Sequence, residues 1–293
     1  MKGAEPGVID APAAPSGRRT ILQRAVRSPR IIVSLAFLVA VAVLSLAAPL
    51  LAAYDPTQLI GKPLLDPSPA FPLGTDDFGR DALSRLLYAG RVSLGVAAAA
   101  VVVATFVGVW LGLVAGYERG WLETIIMRAM DLILSFPTIV LAIAIVAMLG
   151  ASLHNVVVVI AIVYTPRFVR IVFGSTLSVR EAEYVQAARV AGATDLHIMR
   201  TSILPNVLTP ILVQISLSLG FAILVETGLS FLGLGAQPPT PSWGNMVAAA
   251  RPFMESNPWL LVAPAAAVGL TVLALNTLGD GVRDLLDPRL GGQ

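Results

Sequence analysis

The chain contains no cysteine, so neither a disulfide nor a thiolate metal site can form. Its two histidines, His154 and His197, are far apart and lack ligand spacing, which argues against a histidine metal centre. Lysine occurs only at Lys2 and Lys62, and no G-x-x-x-x-G-K-[ST] phosphate loop exists. A nucleotide that drives this protein must therefore be bound by another polypeptide. Charged residues make up 13% of the chain, against about 25% in a soluble domain. Hydrophobic residues make up 56%, and the mean hydropathy is +0.80. This is the composition of a polytopic membrane protein.

Six apolar runs are long enough to cross a bilayer. Residues 1–30 form a basic tail with Arg18, Arg19, Arg24, Arg27 and Arg30. The first run, 31–53, is longer than a signal-peptide core and is read as a span rather than a cleaved leader. A polar connection covers 54–91. The second span runs from Val92 to about Ala115, and its Gly108, Gly112 and Gly116 repeat suits close packing against another helix. The third span, Met130 to Leu149, contains Pro137, which bends it. The fourth, Val156 to Phe173, ends in Pro166, Arg167 and Arg170, read as its cytoplasmic end. The fifth and sixth begin at Val207 and Trp259, and a charged tail covers 281–293. With the N-terminus inside, 15 of the 20 Lys and Arg fall in cytoplasmic segments, so both termini are placed in the cytoplasm.

The polar stretch from Ser178 to Pro205 interrupts the second half of the chain. Ser178 and Glu181 carry the S-x-x-E signature of a helix start. Gly192 is placed to end that helix in a left-handed turn, Thr194 to cap the next, and Asp195 to sit in its first turn. Between the long spans, Asp76, Asp77 and Asp81 lack calcium-loop spacing and are read as loop architecture paired with arginines. Gln214 and Ser218 share a helix face and either bond another helix or line a pathway; Glu226 is a further pathway candidate, or an anchor for the next loop. Residues 229–258 are expected to form a rigid re-entrant or interfacial loop rather than a helix, with Trp243 as an interfacial anchor in preference to part of a gate.

Three stretches carry a family resemblance over roughly residues 70 to 290. Gln186-Ala187-Ala188, then Gly192, then Ser202-Ile203-Leu204-Pro205 resembles the cytoplasmic loop of bacterial ABC-importer permeases. The family pattern has Glu where Gln186 stands and Ile where Ser202 stands. FPLGTDDFGRDALSRLLYAGRVSL and SFLGLGAQPPTPSWGNM resemble the dipeptide, oligopeptide and nickel permeases. The resemblance implies an all-α permease of six transmembrane helices, with the type I importer fold and a cytoplasmic coupling helix. It implies import of di- or oligopeptides, or of nickel or another small solute by the same machinery.

Its implied partners are a second homologous permease, two ATPase subunits that bind ATP and Mg, an extracytoplasmic substrate-binding protein and membrane lipid, with no nucleic acid. This chain itself is expected to be no enzyme and to bind no cofactor or metal. The residues it points to for ATPase coupling are Gln186, Ala187, Ala188, Gly192, Ala193, Asp195, Leu204 and Pro205. A carrier working alone is disfavoured by that loop and by the lack of paired mid-span acids; an intramembrane enzyme, by the lack of a Ser/His, metal-ligand or paired-Asp arrangement.

Overall fold

Apolar sequence in lipid must satisfy its own backbone hydrogen bonds, and helices do so within each segment. A computed structural model describes residues 28–286; the basic tail through residue 27 and the last seven residues lie outside them. Eleven α-helices follow in the described residues. They are α1 Pro29–Leu46, α2 Ala48–Leu51, α3 Ala82–Glu118, α4 Gly120–Leu134, α5 Thr138–Leu149, α6 Leu153–Arg180, α7 Glu183–Val190, α8 Asp195–Ile198, α9 Leu204–Phe231, α10 Trp243–Ala250 and α11 Trp259–Leu286. Five are long and apolar enough to cross a membrane, and α4 with α5 supplies a sixth if the bent pair counts as one span.

The longest seam joins α3 to α6. A Cβ on Gly108 would collide with Cβ of Phe168; one on Gly112 would lie 2.7 Å from Cβ of Val172, and one on Gly116 2.7 Å from Cβ of Thr176. The three glycines thus form a groove along α3 into which the α6 side chains fit. Ala97, Ala100 and Ala104 extend the buried small-residue face of α3. Around this seam α5, α9, α10 and α11 add Ala142, Val146, Ile223, Leu229, Trp243, Met246, Val268 and Leu275 to one apolar core.

Several boundaries differ from the sequence reading. The polar connection ends at Asp81, not Arg91, because the Asp81 carboxylate accepts the Ser84 N–H at 2.8 Å and starts α3 there. The third span is two helices meeting at 92°, not one bent helix. Pro137 supplies no N–H, and the Ser135 hydroxyl donates to the Leu132 carbonyl at 2.7 Å, so α4 stops and Pro137 caps α5. Helix α6 runs on to Arg180, which puts Ser178 inside it; the expected Ser178–Glu181 cap does not form. Pro166, Arg167 and Arg170 consequently lie mid-helix rather than at its end. Arg170 pairs with Asp131 of α4 at 2.6 Å.

The stretch 229–258 is not all loop. Ser242 and Asn245 form a reciprocal capping box that starts α10 at Trp243. Trp243 is 2% exposed and lies inside the bundle; its backbone N–H donates to Ser93 Oγ at 3.2 Å. An interfacial anchor would keep its ring at the surface, so that reading is corrected. On the same side, Asp76 accepts from Arg80 at 2.6 Å and lies 3.3 Å from Arg85, while Arg85 donates to the Pro56 carbonyl at 2.8 Å. These ion pairs fix the loop that leads into α3. At the opposite side of the bundle Gly281 of α11 packs on Ile31 of α1.

The α3–α6 seam predicts an asymmetric response to substitution. Gly112→Val overfills the groove and is expected to cost about 1–3 kcal/mol. Gly95→Ala, where a Cβ meets nothing within 4 Å, is expected to leave stability unchanged or slightly raised. Thermal melts of the purified variants in one detergent check both.

Candidate functional site: the segment between α6 and α9

Between the two long helices the chain makes a compact detour of about twenty residues. It begins with α7, which ends in a complete Schellman turn. The Ala193 N–H donates to the Ala188 carbonyl at 3.1 Å, and the Gly192 N–H to that of Arg189 at 3.0 Å. Gly192 has φ +81°, and a Cβ there would meet nothing within 4 Å, so the backbone conformation alone calls for glycine. Thr194 stands at the N-cap position of α8 but its side chain makes no capping bond; Asp195 occupies the first turn.

One face of this detour is anchored. Val185, Ile198, Met199 and Ile203 are buried against Leu113 and Tyr117 of α3 and Val172 of α6. Tyr117 Oη donates to Asp195 Oδ1 at 2.6 Å. Arg180 Nη1 donates to the Tyr117 carbonyl at 2.6 Å, and the Arg189 guanidinium stacks 5.3 Å from the centre of the Tyr117 ring. One tyrosine at the end of α3 therefore holds α8, α7 and the end of α6. The sequence reading named Asp195 and missed Tyr117, whose partner lies 78 positions away.

The other face is open. Tyr184, Ala187, Ala191 and Leu196 are exposed, as is Val190 at 90%. Gln186 is exposed and its amide donates to the Glu181 carbonyl at 3.2 Å. Ala188, Ala193 and Leu204 are half-buried against the anchoring cluster. Pro205 sits in the first turn of α9, directly after a π-helical turn at Met199–Ile203. Lacking an N–H, Pro205 cannot bond back to Thr201, which loosens the helix there.

The remaining candidates lie on α9. Gln214 Nε2 donates to Ser218 Oγ at 2.9 Å, so that pair is brought together on one face. Glu226 is not: it projects from a different side of α9, roughly a quarter turn round or more. It is fully buried, accepts from Ser230 Oγ at 2.7 Å through Oε1, and leaves Oε2 without a protein partner.

Removing the Tyr117 hydroxyl is the direct check on the anchor. Tyr117→Phe is expected to release about 1 kcal/mol, so amides of residues 183–198 should exchange hydrogen roughly fivefold faster. Asp195→Asn added to it should change the rates little, since the bond is already lost.

Comparison with known proteins agrees with this architecture. The chain is 43% identical over 263 residues to the di/tripeptide transport system permease protein DppC of Pseudomonas aeruginosa, covering 87% of each chain. It is 45% identical over 261 residues to the dipeptide transport system permease protein DppC of Alkalihalophilus pseudofirmus, covering 88% of this chain and 86% of that one. It is 47% identical over 224 residues to the glutathione transport system permease protein GsiD of Pectobacterium atrosepticum, covering 76% and 74%. Among solved structures, an inward-facing form of the MetNI methionine ABC transporter shares the fold, with a TM-score of 0.57 at 16% identity over 69% of this chain and 97% of that one. The family model for binding-protein-dependent transport system inner membrane components matches residues 108–292. With its bundle of membrane-length helices and its relatives, this chain belongs to the family of binding-protein-dependent transport inner membrane components.

Proposed function

We propose that this chain is one of two homologous permease subunits of an ATP-driven importer that carries di- and oligopeptides, delivered by a substrate-binding protein, across the bacterial inner membrane. The observation that carries the reading is the α6–α9 detour. One of its faces is clamped to two spans by Tyr117, and the other presents Tyr184, Ala187, Val190 and Leu196 with nothing over them. The names of the relatives, which speak of dipeptides, di/tripeptides and glutathione, support peptides as the cargo.

In this reading α7 is the coupling helix, seated in a cleft of an ATPase subunit on the cytoplasmic side. Both termini lie on that side. ATP and Mg are bound by two ATPase subunits, which favour one of two conformations of the spans. Gln186 and Ala187 face the ATPase, while Ala188 lets α7 sit close on the anchoring cluster. Gly192 and Ala193 make the turn, Asp195 transmits load to Tyr117, and Leu204 and Pro205 begin α9. Gln214 lines the pathway, and the fully buried Ser218 holds its amide from behind. Glu226, enclosed beside Ser230, acts on it from behind rather than from its surface.

Affinity purification from native membranes tests the assembly. The wild-type chain is expected to bring down a second permease and P-loop ATPases. Val190→Asp, which puts a charge on the open face without touching the anchor, should keep the second permease and lose most of the ATPase. A chain that purifies alone and transports without ATP would sink the reading.

A further inference from the structure

Arg167 stands in the middle of α6, 14 residues from Leu153 and 13 from Arg180, or about 20 Å from either end. Its neighbours on α6 pack opposite Gly108 of α3, inside a stretch of α3 with no charged residue between Arg91 and Glu118. A helical side chain leans toward the N-terminus of its own helix, so the guanidinium reaches further from the Arg180 end. There it lies 4.6 Å from the centre of the Tyr164 ring and 5.4 Å from that of Phe221 on α9. Among the described residues it has no carboxylate partner. Tyr164 is buried, while Phe221 is 44% exposed, so the guanidinium is half-buried at an open seam between α6 and α9.

An arginine inside a membrane-length helix is costly unless it faces water or a counter-charge. Two aromatic faces offset part of that cost but provide no negative charge for the guanidinium. The seam is also where α9 turns its polar residues. Gln214, Ser218 and Phe221 follow each other at helical spacing of four and three, one stripe along the helix.

We propose that Arg167, flanked by Tyr164 and Phe221, receives the C-terminal carboxylate of the peptide in transit, with half-buried Gln214 alongside. This rests on the peptide-importer reading above. A planar guanidinium fork matches a carboxylate with two parallel hydrogen bonds, whatever the side chains or stereochemistry of the peptide. The site is therefore selective for a free C-terminus and tolerant of sequence.

The test uses the complete importer in proteoliposomes, with its binding protein and ATP on the ATPase side. The probes are Ala-Ala and its C-terminal amide, each at a concentration that saturates the binding protein. Any preference of the binding protein is common to all permease variants, so the acid-to-amide ratio of transport rates reports on the permease. Arg167→Gln is expected to slow the acid about tenfold or more and the amide by no more than about twofold. Arg167→Lys, which keeps the charge and loses the fork, should fall between, and its ratio decides the matter if the Gln variant fails to assemble. An equal fall for both peptides, or no change, overturns the proposal. So does loss of the second permease from both variants, which would assign Arg167 to an acid of that subunit. A wild-type complex that moves neither peptide refutes the peptide reading itself, and does so before any variant is compared.

Discussion

The close approach of α3 and α6 is the contact on which the rest of the bundle depends. Lipid offers no hydrophobic reward for bringing two apolar helices together, so the seam has to be made by fit. Gly108, Gly112 and Gly116 remove three side chains in a row, and Phe168, Val172 and Thr176 occupy the space. That fit sets the register of α6 against α3 to within one turn. Register then decides two further things. It brings Tyr117, one position beyond Gly116, level with the end of α6 where the chain leaves for α7. It also sets Arg167, next to Phe168, midway along α6 and beside Phe221 of α9.

Much of this was legible in the sequence because it rests on local spacing. A repeat of glycine every fourth residue states a helix face. Gly192 between two short amphipathic stretches states a left-handed turn, and the Schellman bonds at Ala193 and Gly192 follow. The polar pair Gln214 and Ser218, four apart, could only share a side of α9. What was not legible depends on distance along the chain or on depth. Nothing near Tyr117 announces that its hydroxyl meets Asp195. Pro166, Arg167 and Arg170 read as the end of a helix because proline and charge ordinarily mark one, and only packing against α3 shows that α6 continues four turns beyond Pro166. Trp243 was assigned to an interface by residue type, yet the Ser242–Asn245 capping box starts a helix that carries the ring inward.

Proline acts in three different ways here, and the differences come from what stands beside it. Pro137 follows Ser135, whose hydroxyl competes for a carbonyl of the last turn, and the helix breaks at 92°. Pro166 sits inside α6 with Thr165 bonded back to the Ala161 carbonyl at 2.8 Å, and the helix passes through it unbroken. Pro205 follows a π-helical turn, and its missing donor loosens the base of α9 without breaking the helix. The residue type alone therefore predicts a weak point but not its form.

These weak and stiff points are arranged in series along the path that the proposed function requires. A push on the open face of α7 reaches the spans through two routes of unequal stiffness. One is short and tight: Asp195 to Tyr117, thence to α3 and, through the glycine seam, to α6. The other passes through the π-turn and the first turn of α9, where Pro205 has removed a backbone bond. A load applied to α7 thus moves α3 and α6 as one body while α9 yields at its base. The seam that opens or closes under such a motion is the one between α6 and α9. That seam holds the half-buried guanidinium of Arg167, with the Gln214–Ser218 stripe running along α9. The α7 face and the Arg167 seam, the two sites proposed for this chain, are in this way joined by the packing of the helices that carry them.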